Sequence, residues 1–329
     1  MKSERKSNLL ILILAVVCIS LIIAVFLTIV KGRQEKEQPQ ARRESTSAAS
    51  ESTDTVTYEG VRYRKNPAIR TMLFMGIDKD ADVEVGGVPG TFGQSDSLNL
   101  LIMNEETKEA SVLQISRDSM VNVEIYNAEG TSKLTTQQAQ ICLQYAYGDG
   151  AERSCKMVSD RVEELLMGVE VDSYLSLTLD GMIAATEAIG GVTLTVPEDY
   201  TAVDPAFAKG ATVTLEGEMA EKYVRTRDIG VLDSNNQRMD RQAQFMAALI
   251  DKMQKIEGKT RYAMLYQQLE PYMTTNMTAD EMLETAGYDV KTEMQRIPGT
   301  IIEKDGHAQY HVDNKELYKL LISLFYEKE

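Results

Sequence analysis

The segment TMLFMGID, residues 71–78, is a short apolar run that ends on an aspartate. Continuous apolar runs of this length are typical of strands buried within a sheet. Two runs of the same kind follow, SLNLLIM at 97–103 and ASVLQIS at 110–116. The three runs predict three consecutive strands.

Charged residues flank the predicted strands at corresponding ends. Asp78 follows the first strand, Asp96 precedes the second, and Arg117 follows the third. In an antiparallel meander, successive strands alternate in direction. The three charged side chains would then meet at one edge of the sheet, whereas crossover connections would keep them apart.

Apolar residues at three- and four-residue spacing predict helices in the rest of the folded part. The predicted helices span 135–147, 155–167, 180–189, 217–223, 237–255, 261–269, 279–286 and 314–326. Further strands are predicted at 174–179, 192–196 and 308–312. The sequence shows no repeat of fixed period and no clear boundary to a second domain.

The segment RTRDIGVLDSNNQRMDRQ, residues 225–242, is rich in arginine within an otherwise acidic chain. Its candidate anion-binding side chains are Arg225, Arg227, Arg238, Arg241 and Gln242. The first two would lie on one side of an extended segment, and the last three on one face of a helix. Two sets of polar and guanidinium groups suit a multiply charged anion such as phosphate. The alternative is a set of exposed arginines paired with neighbouring acids.

Two carboxylates beside an arginine at one sheet edge suit a hard cation. Mg²⁺ commonly binds one or two carboxylates, keeps several waters and takes phosphate oxygens from the substrate. Asp78 and Asp96 are the candidate ligands, with Mn²⁺ as the alternative metal. The arginines would neutralise a pyrophosphate, so the set suits phosphoryl transfer. The structural alternative is that the aspartates cap turns and that Arg117 pairs locally with Asp118.

Several other functions lack support in the sequence. The glycine-rich loop VGGVPGTFGQ, residues 85–94, has no GKS or GKT, which argues against a P-loop. No GxSxG motif or Cys–His arrangement indicates a nucleophilic hydrolase. Residues 1–43 carry a net charge of +5 within a total of −15, so the remainder carries −20. This acidic remainder argues against nonspecific binding to nucleic acid.

An uncharged, mostly aliphatic stretch at 8–30 predicts a transmembrane helix, because about 20 apolar residues cross a bilayer. Basic residues flank it on both sides, and residues 1–7 are expected to be a short cytoplasmic tail. The polar segment 31–57 is predicted to be a flexible stalk, and 58–329 an extracytoplasmic domain. A cleaved secretory signal is the alternative to a retained anchor.

Cys142 and Cys155 are candidates for a disulfide if the domain lies outside the cell. They flank the turn AYGDGAERS between two predicted helices, which would bring the thiols together. Two free, buried cysteines are the alternative. No CxxC motif or Cys/His cluster indicates zinc.

Six short segments carry a likeness to a known family. They are MGID at 75–78, QSDSLNLLIMN at 94–104, VLQISRDSMV at 112–121, IGGVTLTVP at 189–197, LEGEMAEKYVRTRD at 215–228 and RMDRQ at 238–242. In this order they resemble the LytR-CpsA-Psr family of membrane-anchored enzymes. The likeness runs from residue 69 to the C-terminus.

The resemblance implies a three-layer α/β/α sandwich around a mixed central sheet, with a hydrophobic tunnel for a polyprenyl chain. It also implies a reaction at the cell membrane of a Gram-positive-type bacterium. A glycopolymer such as teichoic acid moves from a polyprenyl-pyrophosphate carrier to an acceptor, typically peptidoglycan. The acceptor hydroxyl attacks the phosphorus next to the sugar, and the lipid phosphate leaves.

The resemblance also assigns roles to individual residues by position. Asp78 and Asp96 match metal-binding acids, and Lys133 matches a basic residue that opens the helix after the third strand. The residues that match pyrophosphate contacts are Arg117, Arg225, Arg227, Arg238 and Gln242.

Two positions depart from the family pattern. Gln94 is a candidate pyrophosphate-binding residue, but it stands where the family commonly has an arginine, so the site lacks one positive charge. Asn235 stands where the family has an acid that is a candidate for activating the acceptor hydroxyl, and an amide does not accept a proton in that way. Asp233 is the candidate substitute.

These departures leave two alternatives to a transferase. One is a polyprenyl-phosphate-binding or cell-wall scaffold module without turnover. The other is a hydrolase of the same lipid pyrophosphate, with water as the acceptor. A regulatory role ranks last, because residues 1–7 contain no helix-turn-helix segment.

Overall fold

The computed structural model describes residues 55–79, 83, 87–226, 234–255, 259–304 and 306–329. The predicted cytoplasmic tail, the predicted anchor and most of the predicted stalk lie outside these residues. Within the described ranges, no helix combines the length and the apolar character needed to cross a membrane. The transmembrane helix therefore stays a prediction.

The described strands form one large sheet and four smaller ones. In chain order they are β1 Thr55–Tyr58, β2 Val61–Lys65, β3 Ile69–Ile77, β4 Ser95–Asn104, β5 Glu109–Ile115, β6 Met120–Tyr126, β7 Lys133–Gln140, β8 Ser173–Thr178, β9 Val192–Thr195, β10 Thr212–Leu215, β11 Met273–Thr275, β12 Asp289–Val290, β13 Gln295–Arg296, β14 Gly299–Lys304, β15 His307–Val312 and β16 Tyr326–Lys328.

The described helices follow the same numbering rule. They are α1 Glu152–Leu165, α2 Leu179–Ala188, α3 Glu218–Arg225, α4 Ser234–Gln254, α5 Lys259–Leu269, α6 Ala279–Thr285 and α7 Asn314–Phe325. Two short 3-10 helices, Ile141–Tyr147 and Glu270–Tyr272, complete the set in the described part of the chain.

The predicted meander is confirmed and forms the centre of the large sheet. β3 pairs antiparallel with β4, and β4 pairs antiparallel with β5. β8 lies parallel to β3 on its other side, which makes the sheet mixed. The order is β11-β8-β3-β4-β5-β12, with β13 also paired to β5. The expected α/β fold around a mixed sheet is therefore confirmed.

Alternate residues of β3 face opposite sides of the sheet, as strand geometry requires. Leu73, Met75 and Ile77 are buried in the main core, to which α1 and α7 also contribute. Phe74 faces the other side, where side chains of α2, α4, α5 and α6 line a cavity with it. One face of the sheet thus supports a packed core, and the other face borders a cavity.

The prediction of a helix at 135–147 is wrong for the first half of that range. Lys133–Gln140 is β7, which pairs antiparallel with β6. The helical part is Ile141–Tyr147, a 3-10 helix in which Ile141 and Cys142 are buried. Threonine favours strands when a partner strand is available, so pairing with β6 prevailed over the apolar spacing.

The folded unit begins slightly before the predicted boundary at residue 58. It spans Asp54–Glu329, because β1 starts at Thr55 and pairs antiparallel with β2. β16 pairs with the other side of β2, so the last strand lies next to the first hairpin. Three residues of the predicted stalk therefore belong to a strand.

A second, smaller core supports the helix that carries Arg225. β9 and β10 pair antiparallel, and residues of both strands pack against Tyr223 of α3. The rings of Phe207 and Tyr223 meet edge to face, with 5.0 Å between their centres. This packing holds α3, whose last residue is Arg225.

Candidate active site

Four strand ends meet at one edge of the large sheet. Ile77, at the end of β3, pairs with Ser95 at the start of β4 and with Thr178 at the end of β8. Leu98 of β4 pairs with Ile115, the last residue of β5. The three charged residues expected from the meander are therefore brought to this edge.

Asp96 lies between two arginines from separate elements. Its Oδ1 accepts a hydrogen bond from Nη1 of Arg117, and its Oδ2 accepts one from Nη1 of Arg238 at 3.0 Å. The exposed fractions of the three side chains are 17% for Asp96, 11% for Arg117 and 4% for Arg238. Charges buried to this extent are stable only when they are paired. One carboxylate therefore joins β4, the loop after β5, and α4.

The guanidinium of Arg117 has further partners. Its Nη2 donates to Oε1 of Gln94 and lies 2.9 Å from Sγ of Cys142. Its Nε lies 3.6 Å from Oδ1 of Asp118, so the local pair weighed as an alternative also forms. Burial works against the charge, but the hydrogen bond to Cys142 and the nearby carboxylates of Asp96 and Asp118 raise the pKa of Arg117 above its ordinary value. Arg117 is thus a fixed cation.

Asp78 and Arg225 form the more exposed part of the site. Nη2 of Arg225 lies 3.0 Å from Oδ1 of Asp78, and Nη1 of Arg225 donates to Glu221 at 2.7 Å. The side chain of Arg225 is 43% exposed, so its ion pair is easily exchanged for a substrate anion. Glu221 was missed by the sequence reasoning, although it lies four residues before Arg225 on α3.

The extended segment expected to align Arg225 with Arg227 is not formed at Arg225. Arg225 is the last residue of α3. Arg227 and Asp233 lie outside the described residues, and the side chain of Asn235, near the start of α4, also lies outside them. The roles predicted for these residues stay predictions.

Arg241 contacts the protein interior, which corrects the prediction that it binds the anion. Its Nε donates to the backbone oxygen of Tyr223 at 2.7 Å, and its Nη2 donates to the backbone oxygen of Thr226. Its guanidinium carbon lies 5.1 Å from the centre of the Tyr200 ring. Arg241 is buried, and it ties α4 to the end of α3.

We expect Arg241→Met to lower the free energy of unfolding by about 2–3 kcal/mol, because two backbone carbonyls lose a charged donor. Urea denaturation measures the change. Lys255→Met is the matched control, since Lys255 pairs with Asp251 at an exposed position on the surface. A loss in Arg241→Met no larger than in the control would contradict the structural role.

Gln242 lies at the site, as its spacing predicted. Its Nε2 donates to the backbone oxygen of Val224 at 3.3 Å, and the side chain lines the pocket beside Asp78 and Asp96. Helical spacing therefore grouped Arg238, Arg241 and Gln242 on one face. Arg238 and Gln242 border the site, whereas Arg241 supports α3.

Lys133 lies away from the site, contrary to the prediction that it opens a helix there. It starts β7, is exposed, and pairs with Glu124 at 3.1 Å. The opposite end of β7, at Gln140, leads into the 3-10 helix that carries Cys142. The two ends are about 23 Å apart at 3.3 Å per residue.

Cys142 and Cys155 are both free and buried, so the expected disulfide is not formed. Sγ of Cys142 faces Arg117 and Gln94. Cys155 lies in α1 and packs in the main core. The turn between the two predicted helices therefore does not bring the thiols into a bond.

The carboxylates at this edge suit a metal that takes few protein ligands. Among the described residues, no group of three or more His, Cys, Asp or Glu side chains is placed to hold a metal ion. Asp78 and Asp96 line the same pocket. Carboxylate oxygens are the donors that Mg²⁺ prefers, and it commonly takes one or two of them and completes its shell with water and phosphate. The donor set therefore fits Mg²⁺ better than a metal held in an all-protein cage.

An apolar cavity begins where the charged edge ends. A pocket of 110 Å³ is lined mostly by apolar side chains, and Asp78, Asp96 and Arg238 of the site are among the residues that border it. A cavity of 310 Å³ borders the same face of the sheet and reaches α6 and β12. Both are lined by Phe74, Leu177, Ala185, Met246 and Leu249. The charged edge of the sheet thus lies beside two adjoining apolar spaces.

The residues that line this cavity were not identified from the sequence. Apolar residues that line a cavity have the same spacing as residues that pack a core. The available signal is in β3, where Phe74 is apolar on the face opposite to Leu73 and Met75. A strand that is apolar on both faces is expected to have other elements packed on both sides. The composition of the strand does not show whether those elements pack closely or leave a cavity.

The chain is similar in sequence to known proteins. The LytR_cpsA_psr family model matches residues 25–324. Biofilm regulatory protein A of Streptococcus mutans is 25% identical over 76% of this chain, and the match covers 61% of that protein. The chain therefore spans less than two thirds of the length of that relative. A Bacillus licheniformis protein, polyisoprenyl-teichoic acid–peptidoglycan teichoic acid transferase TagU, is 26% identical over 77% of this chain and 76% of its own length.

Solved structures share the fold. The structure of B. subtilis TagV is similar over 79% of this chain and 96% of that chain, with a TM-score of 0.59 and 22% identity. A structure of TagT bound to LIIa-WTA is similar over 78% of this chain and 90% of that chain, with a TM-score of 0.58 and 22% identity. The mixed sheet and its surrounding helices are therefore common to these proteins.

Proposed function

The chain belongs to the LytR-CpsA-Psr family, and on that premise we propose that it transfers a glycopolymer from a polyprenyl-pyrophosphate carrier to a cell-wall acceptor, with peptidoglycan as the acceptor. The acceptor hydroxyl oxygen attacks the phosphorus next to the sugar. A new P–O bond forms there, the bond to the lipid phosphate breaks, and the lipid phosphate leaves. The reaction takes place at the outer face of the cell membrane, with the predicted helix at 8–30 as the anchor.

The observation that carries the proposal is a cluster of charged residues beside adjoining apolar spaces. Asp78, Asp96, Arg225 and Arg238 border the pocket, and the larger apolar cavity shares Phe74 with it. A polyprenyl pyrophosphate has the same division into a multiply charged head and an apolar tail. Burial of the tail stabilises the complex by about 25 cal/mol per Å² of apolar surface removed from water.

The residues of the site have separate tasks in this proposal. Arg225 is exposed and meets the pyrophosphate, exchanging its pair with Asp78 for the phosphate oxygens. Arg117 and Arg238 are held by Asp96 and supply fixed positive charge behind it. Mg²⁺ bound by Asp78 and Asp96 would neutralise charge on the pyrophosphate as the lipid phosphate leaves. Asp233 is the proposed base for the acceptor hydroxyl.

The transfer is tested with the full-length chain in detergent. The chain is incubated with Mg²⁺, a lipid-pyrophosphate oligosaccharide and a peptidoglycan oligomer, and the products are identified by mass spectrometry. A phosphodiester-linked product that requires the oligomer supports the proposal. Release of phosphorylated sugar alone would replace transfer with hydrolysis. Bound lipid without any product would leave a binding module.

Gly93 offers a test of how Asp78 is positioned. Its φ is +87°, which favours glycine, and a Cβ there would lie 3.1 Å from the backbone oxygen of Asp78. We expect Gly93→Ala to lower turnover about tenfold or more, because small displacements of reacting groups have large effects on rate. The backbone strain is expected to lower the free energy of unfolding by about 1–2 kcal/mol.

Gly210→Ala is the control for this substitution. Gly210 has a φ of +81°, and a Cβ there would have no heavy atom within 4 Å. The control therefore shares the backbone strain without the contact to Asp78. Equal turnover in the two variants would show that Gly93 does not position Asp78.

A further inference from the structure

We propose that Gln94 and Cys142 are positioning residues that hold Arg117, and that Gln94 makes no contact of its own with the pyrophosphate. The inference rests on the proposed function, because it concerns the same site. It also changes the role that the sequence suggested for Gln94.

One nitrogen of Arg117 is shared between the two acceptors. Nη2 donates to Oε1 of Gln94 and to Sγ of Cys142 at 2.9 Å, and the Cys142 thiol donates to the same Oε1 at 3.6 Å. A guanidinium Nη carries two hydrogens. Both hydrogens on Nη2 are therefore directed at protein atoms, while Nη1 is directed at Asp96.

The backbone around Cys142 is attached to the same loop. The N–H of Cys142 donates to the backbone oxygen of Arg117 at 3.2 Å. The hydroxyl of Ser95 donates to the backbone oxygen of Cys142 at 3.4 Å. The start of the 3-10 helix is therefore fixed to β4 and to the residue whose side chain Cys142 contacts.

Both acceptors are neutral, so they fix the guanidinium without cancelling its charge. Burial raises the pKa of the Cys142 thiol to about 12, and the thiol therefore stays protonated at neutral pH. Gln94 carries no charge. A carboxylate at either position would also orient Arg117, but its negative charge would offset the positive charge that the site presents to the pyrophosphate.

The departure from the family pattern at residue 94 has a structural consequence. An arginine there would place a second guanidinium beside Nη2 of Arg117, where the glutamine oxygen now accepts. With Gln94 in place, Nη2 of Arg117 is held by a neutral acceptor while Nη1 pairs with Asp96, and Arg117 supplies its positive charge from behind that carboxylate. The pyrophosphate is then met by Arg225, whose side chain is the more exposed of the two.

The test uses the two buried thiols as a matched pair. Cys142→Ala and Cys155→Ala each remove one fully buried sulfur, but Cys142 alone contacts Arg117. We expect Cys142→Ala and Gln94→Met to lower kcat about tenfold with KM within about twofold, as for an interaction realised in the transition state. Cys142→Ser is expected to restore kcat, and Cys155→Ala to leave it within about twofold of the wild type.

Two outcomes would overturn the inference. A raised KM with unchanged kcat in Gln94→Met would show that Gln94 binds the substrate directly. Equal effects on kcat in Cys142→Ala and Cys155→Ala would show that the sulfur acts through packing alone.

A second measurement separates failure of this inference from failure of the proposed function. If the wild-type chain shows no transfer, Cys142→Ala is combined with Arg117→Met and unfolding is followed in urea. We expect the two changes to be coupled by about fivefold in the unfolding equilibrium constant, as for residues in direct contact. Cys155→Ala with Arg117→Met is expected to be additive, and additivity in the first pair would contradict the inference.

Discussion

Replacing Asp96 with alanine is expected to abolish turnover and to lower the free energy of unfolding by about 3 kcal/mol. The substitution removes the carboxylate that pairs with both Arg117 and Arg238, and both arginine side chains are largely buried. Breaking a buried pair by removing one partner is destabilising by about 3–5 kcal/mol, and the partial exposure of Asp96 favours the lower end. Urea denaturation and the transfer assay measure the two effects on the same preparation.

Asp240→Ala is the matched control for this substitution. Asp240 also pairs with an arginine, Arg296, at 2.9 Å, but its side chain is 61% exposed. An exposed pair contributes about 0–1 kcal/mol, so the control is expected to stay close to wild type in both measurements. If the Asp96→Ala protein is as stable as the control, the ion pairs of Asp96 with Arg117 and Arg238 do not stabilise the fold.

Filling the junction between the pocket and the cavity is expected to abolish lipid binding. Ala185 lines both spaces, and Ala185→Trp would place an indole in the apolar interior. We expect affinity for a short polyprenyl phosphate to fall roughly a hundredfold, because the side chain occupies space that the lipid needs. The free energy of unfolding is expected to change by less than about 1 kcal/mol, since the added atoms enter an existing cavity.

Ala188→Trp is the control, because Ala188 lies on the same helix at an exposed position. Mass spectrometry of the organic extract and titration with the short lipid are applied to both variants. Equal lipid in the two proteins would show that the cavity does not hold the prenyl chain.

The edge of the sheet that carries Asp78, Asp96 and Arg117 could be predicted from the sequence. Apolar runs mark strands, and alternating strand direction then fixes which ends meet. The prediction succeeded because the three strands are consecutive in the chain, and consecutive strands commonly pair as neighbours. The helices at 180–189, 217–223 and 314–326 also match described helices within two residues, since local spacing determines them.

The partners of individual side chains could not be predicted in the same way. Arg238 and Arg241 lie three residues apart on α4, but one pairs with Asp96 and the other with backbone oxygens at the end of α3. That difference depends on how α3 and α4 pack, which no local pattern encodes. The prediction for Lys133 was wrong for a related reason, because its segment pairs with β6 instead of forming a helix.

The carboxylate of Asp96 has an evolutionary consequence. Active-site residues are often retained at the expense of stability, so their loss commonly leaves a more stable protein. Asp96 reverses this relation, because its loss removes the carboxylate that pairs with two largely buried guanidinium groups, Arg117 and Arg238. A lineage that gave up turnover would therefore keep Asp96 under selection for folding alone. Asp78 and Arg225, which are more exposed, would be free to drift, and their loss is the signature by which an inactive descendant can be recognised.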